Sequence, residues 1–180
     1  MILGLDISTT CTGVTILDYA GRVVLNTYWK HKGDDVYDKI SNIIQLIKEL
    51  KTYPITEVYI EDPLQSFRPG FSSASTILSL SKFNGTFSFL IYKYLSIKPK
   101  HISAGTARKT CGIKITKGIP AKQQVMDWML LNQTWFKPSK KKNSDNLKDH
   151  YYDMADSYVI ARAGLILEKH KDLLDTKEEQ

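Results

Sequence analysis

The stretch that most restricts the fold is the opening MILGLDISTTCTGVTILDYAGRVVLNTYW, three runs dense in aliphatic and β-branched residues cut by two short turns. Residues 1–7 read as a buried strand. Residues 13–19 read as a second strand beyond the polar turn 8–12, and residues 22–29, entered through Ala20 and Gly21, as a half-exposed third. Turns this short join antiparallel neighbours, so the chain begins as a three-stranded meander. The meander must then be covered. Val36, Ile40, Ile43, Ile44, Ile47 and Leu50 recur at helical spacing over residues 34–51 and supply an amphipathic helix with a broad apolar face.

The rest alternates in type. EVYIED (57–62) reads as a fourth strand, stopped by Pro63, which lacks the amide that a continuing strand would use. Residues 72–95 form a mostly buried helix despite Gly85, residues 96–103 contribute a short fifth strand, and a helical turn follows over 104–109. A helix starting at Pro120 runs to about Asn132, 137–149 is a polar loop, and 151–170 is the last strong helix, with Met154, Tyr158, Ala161 and Leu165 along one side. No internal repeat is present. The order predicts an α/β fold with a mixed five-stranded sheet, three antiparallel strands then two parallel, flanked by helices. At 180 residues one domain is the expectation, spanning 1–170, with 171–180 a charged C-terminal tail that frays.

Composition narrows the class of partner. The formal charge of +6 fits a nucleic acid or another anionic surface. Cys11 and Cys111 are the only cysteines and sit in no CxxC or Cys/His pattern, which excludes a disulfide framework or a structural zinc site as the organising feature. The apolar run at residues 1–5 is broken by Asp6, and no later run approaches the length of a membrane span, so a soluble protein of the cytoplasm with no membrane partner is expected.

Acidic residues occupy three places where the chemistry is informative. Asp6 lies on the first strand, Glu61 and Asp62 end the fourth, and Asp153 and Asp156 form an i, i+3 pair on the last helix, about 60° apart around its axis. Taken singly, each has a plain reading as turn former, strand terminator or solvated helix residue. Taken together they converge, because the 34–51 helix is a crossover that can set the first and fourth strands side by side. Carboxylates so packed repel one another unless hard divalent cations join them. Two Mg²⁺ or Mn²⁺ ions about 3.5–4 Å apart could activate a water and stabilise the leaving oxygen of a phosphodiester. Periodicity alone leaves open whether Glu61 or Asp62 faces the cluster.

ILGLDISTTCTGVTIL, VYIED, ISAGTARKTCGIKITKGIPAKQQV and DMADSYVIARAG, in this order and spacing, resemble the RuvC-type Holliday junction resolvases of the RNase H-like superfamily. The resemblance extends over nearly the whole chain. It implies an RNase H-like fold and a homodimeric, metal-dependent endonuclease that cuts four-way DNA junctions by paired nicks. It assigns the carboxylate set to Asp6, Glu61 rather than Asp62, Asp153 and Asp156, with two Mg²⁺ ions per site. The short, divergent chain suits a phage or viral member acting in the host cytoplasm.

Two basic groups are expected to meet DNA. Arg108, Lys109, Lys114, Lys117 and Lys122 precede or open the 120–132 helix, and Lys140, Lys141 and Lys142 sit in the polar loop beside Lys137. After the fourth strand, Phe67 and Phe71 flank Arg68 in QSFRPGFSS, where an aromatic wedge could open a junction centre. His150 reads as a neighbour of the acidic pair rather than a ligand, and Trp128, Trp135 and Phe136 as packing residues. Two rival functions use the same residues: an RNase H acting on RNA in a hybrid, or a noncatalytic branched-DNA module, which would have no need of four carboxylates.

Overall fold

The structure is a computed structural model that describes residues 1–63 and 74–178. Strands β1 (Ile2–Ile7), β2 (Cys11–Leu17) and β3 (Val23–Lys30) form the expected meander. Ser8 closes the first turn, its hydroxyl donating to the Cys11 carbonyl at 2.8 Å. Helix α1 (Val36–Glu49) is capped by the Asp35 carboxylate, which accepts from the Asp38 amide, and a 3-10 turn, Leu50–Thr52, completes the crossover to β4 (Glu57–Glu61). Helix α2 (Ala74–Leu95) crosses to β5 (Lys100–Ile102), and α3 (Ala104–Thr110), α4 (Ala121–Asn132) and α5 (His150–Glu178) follow. The sheet order is β3-β2-β1-β4-β5, antiparallel across β3, β2 and β1 and parallel from β1 through β4 to β5.

Two segments differ from the sequence reading. The fifth strand shrinks to Lys100–Ile102 because Pro99 has no amide to pair and Ser96 turns the chain at φ 60°. The last helix does not stop at His170. It runs on to Glu178, since KDLLDTKE contains neither glycine nor proline to end it. No helix among the described residues is long and apolar enough to cross a membrane.

Strand alternation sorts the core onto two faces. Leu3, Leu5, Ile7, Val58 and Ile60 pack with Ile43 and Ile47 of α1 and Phe83, Phe87 and Ile91 of α2. Ile2, Tyr59 and Ile102 turn the other way, onto α5 and the two helices beside it. With a side-chain period of two, Gly4 and Asp6 must share the α5 face with Ile2, and Glu61 must share it with Tyr59.

Candidate active site

Asp6 and Glu61 therefore point from neighbouring parallel strands toward one helix, and that helix lies unusually close to the sheet. A Cβ placed on Gly4 would stand 2.5 Å from the Ser157 carbonyl oxygen, and one on Gly13 would stand 2.0 Å from that of Asp153. Only glycine allows α5 to approach at these two points. A buried polar ladder fixes its rotation: Thr15 and Ser157 share a hydrogen bond of 2.8 Å, while the Asn26 amide donates to Thr15 Oγ1 at 2.8 Å and to the Met154 carbonyl at 3.0 Å. The outcome is that Asp153 and Asp156 are held over the strand ends carrying Asp6 and Glu61.

Asp6, Glu61 and Asp156 line a cleft of about 190 Å³ together with Arg108 and Lys122. Burial, then the charges of Glu61 and Asp156, hold the Asp6 carboxyl well above the usual carboxylate range. Burial and the Asp156 charge push Glu61 up to about 7, against the pull of Arg108 and Lys122. Burial likewise raises Asp156, although Lys122 and Arg108 oppose it. Asp62, the other acid at the end of β4, pairs with His101 Nδ1 at 3.6 Å.

The two cations belong to the same constellation. Lys122 Nζ lies 3.3 Å from Asp153 and 3.8 Å from Asp156, and Arg108 lies 3.7 Å from Asp156. Burial works against the Lys122 ammonium, but Asp6, Asp156 and Asp153 outweigh it and raise its pKa. Among the described residues no three Asp, Glu, His or Cys side chains close around one point as ligands do. In chemical type, however, the donor set suits a hard divalent cation: all-oxygen, mutually repelling carboxylates, three of them with raised proton affinity. The thiols are poor nucleophiles, since burial and Asp153 push Cys11 up to about 12 and burial pushes Cys111 up to about 11.

The other sequence-predicted positions scatter. Arg108 and Lys109 sit on α3, Lys109 exposed and Arg108 turned onto Asp156, while Lys114 and Lys117 are exposed ahead of α4. Lys140, Lys141 and Lys142 lie on a small hairpin closed by the Lys140–Leu147 bridge, with Lys140 paired to Asp145 and Lys141 to Asp149. Phe67, Arg68 and Phe71 lie outside the described residues. His150 stacks on Tyr28 with ring centroids 3.9 Å apart. Phe136 is buried, and Trp135 packs on it and on Tyr158, as packing residues should. Sequence reasoning missed Gly4 and Gly13 as positioning residues, although glycine inside an apolar strand is the signal of a close backbone approach.

No protein-family model matches the chain, and no curated protein matches it in sequence. Solved structures do match. Thermus thermophilus RuvC in complex with a Holliday junction substrate aligns with a TM-score of 0.65 at 12% identity, covering 94% of each chain. A second Thermus thermophilus RuvC structure gives 0.63 at 15% identity, covering 94% of this chain and 96% of the other. A yeast mitochondrial Holliday junction resolvase gives 0.56 at 14%, covering 92% of this chain and 77% of its own. The chain, with its sheet order β3-β2-β1-β4-β5, thus has the RuvC-type, RNase H-like fold.

Proposed function

We propose that the protein is a structure-selective endonuclease that resolves four-way DNA junctions by metal-dependent phosphodiester hydrolysis, with one nick from each subunit of a homodimer. The observation that carries this reading is the gathering of Asp6, Glu61, Asp153 and Asp156 from two strands and one helix onto one face of a RuvC-type sheet. These four residues would hold two Mg²⁺ ions, with Mn²⁺ as a substitute. When bound, the metal supplies water activation and charge neutralisation at the leaving oxygen. The chain's own contribution is positional: the glycine contacts and the Asn26–Thr15–Ser157 ladder fix the carboxylates before substrate arrives. Lys122 and Arg108, already beside Asp156, offer positive charge to a phosphate drawn into the cleft.

Exposed Lys109, Lys114, Lys117 and Lys142 would add phosphate contacts beside the site. Support for a homodimer comes from α2, where Leu78, Phe89 and Tyr92 are exposed along one stripe that also holds Gly85. A Cβ on Gly85 would meet nothing within 4 Å among the described residues, which leaves an apolar strip for a second helix. The deciding experiment is cleavage of labelled four-way junction, flap, duplex and RNA:DNA hybrid in Mg²⁺. Symmetric nicking of the junction is expected. Preference for the hybrid would instead make the protein an RNase H.

A further inference from the structure

Asp153 stands at a boundary. It belongs to the carboxylate group, yet its outer side lines a second and larger cleft, about 600 Å³, between the end of β3, the turn after β1 and the start of α5. Four lysines edge this cleft: Lys30 and Lys32 from the end of β3, and Lys141 and Lys148 from the hairpin before α5. Lys141 is paired with Asp149, whereas Lys30, Lys32 and Lys148 make no ion pair among the described residues.

The wall is built rather than incidental. The Lys141 amide donates to the Asn146 carbonyl at 2.8 Å and the Lys148 amide to the Ser139 carbonyl at 3.2 Å, with Asn143 at φ 56° turning the tip. On β3 the two-residue period puts Tyr28 and Lys30 on the same face as Asn26, which touches α5. Tyr28 is backed by His150 at an interplanar angle of 15°, and His150 in turn leans on Tyr151 at 4.4 Å. A cleft with lysines at its edges and an aromatic pair on its wall, opening onto an acid of the reaction centre, suits a polyanion that carries flat bases.

We propose that this cleft is the exit groove for a single DNA strand leaving the carboxylate cluster past Asp153, with phosphates on Lys30, Lys32 and Lys148 and a base or sugar against the Tyr28–His150 pair. The proposal rests on the nuclease reading for its direction. It gives the hairpin's Lys148 a role on one named side of the site, and it adds β3, which carries no residue of the carboxylate set. The groove holds a strand without metal, because none of its cations is a metal ligand.

The test is a fluorescence-anisotropy titration of fluorescein-labelled single-stranded oligothymidylate, in EDTA, over a range of salt concentrations. Each of Lys30→Ala and Lys148→Ala should weaken binding about fivefold at 0.1 M salt and lower the salt slope by about 0.7, the value for one phosphate contact on a single strand. Tyr28→Ala should weaken binding about tenfold with the slope unchanged, since stacking is not ionic. Lys98→Ala, an exposed lysine ahead of β5 at the opposite end of the sheet, should change neither. Wild-type slopes in both lysine variants, an equal effect from Lys98→Ala, or no binding by the unmodified protein would each overturn the groove. Failure of the nuclease reading shows up separately, as wild-type protein that binds the oligonucleotide but cuts no nucleic acid in Mg²⁺ or Mn²⁺.

Discussion

Asp6 lies on a strand whose Ile2, Leu3 and Leu5 are fully buried, and its cost is visible in the direction of its proton affinity. Asp6, Glu61 and Asp156 all titrate higher in the folded chain than in the unfolded one. Without metal, the folded state therefore binds more protons than the unfolded state between about 4.5, the ordinary glutamate value, and about 7, where Glu61 titrates. Stability falls as pH rises through that window. A thermal melt in EDTA should be lower at pH 8 than at pH 5, by about 2–4 °C for each kcal/mol involved. Glu61→Gln should remove part of this slope, and Mg²⁺ should raise the melt more at pH 8 than at pH 5. A flat profile in EDTA would show that the carboxylates are not mutually strained. For activity, Asp6→Asn and Glu61→Gln should each abolish cutting in Mg²⁺ while leaving junction binding nearly intact, as read by gel shift beside the cleavage assay.

The element that governs the site is α5, and its placement depends on two missing side chains. Gly13→Ala puts a methyl group 2.0 Å from the Asp153 carbonyl oxygen, and Gly4→Ala puts one 2.4 Å from the Ala161 nitrogen. Backbone cannot swing aside as a flexible side chain would, so α5 must lift or tilt. Each substitution should cost about 1–3 kcal/mol in denaturant unfolding, the usual penalty for overpacking. Gly13→Ala should in addition lower cleavage at saturating DNA, because it moves the carbonyl of a carboxylate residue. Gly85→Ala is the internal contrast: its Cβ meets nothing among the described residues, so the monomer should be unharmed or slightly more stable.

At the scale of the molecule, the two sheet faces divide the work. The α5 face carries the carboxylates, and the opposite face, covered by α1 and α2, leaves Phe89 60% and Tyr92 54% exposed on the outside of α2. If two copies meet there, light scattering should give a particle of twice the 20.5 kDa chain mass. Phe89→Glu should return it to one chain without lowering the melt of the monomer, and should turn paired nicking of a junction into single nicks. A wild-type protein that is monomeric at micromolar concentration would remove the dimer from the proposed function.

Much was legible from local patterning alone. Alternation in MILGLDI and GVTIL, the helical spacing from Val36 to Leu50 and the crossover before EVYIE are short-range signals, and they suffice for the strand order because short turns and right-handed crossovers leave few topologies. The acids were legible as residue types at telling positions. Periodicity did not tell which of Glu61 and Asp62 joins Asp6, since that depends on the face that Tyr59 takes against α5; only the motif resemblance pointed to Glu61. Nor could the sequence show that Lys122 and Arg108 turn onto Asp153 and Asp156, or that Lys30, on the third strand, meets Lys148 from the far end of the chain. Those meetings arise from packing between elements remote in sequence. They are decided by the close approach that Gly4 and Gly13 allow, a property of two surfaces together and of neither segment by itself.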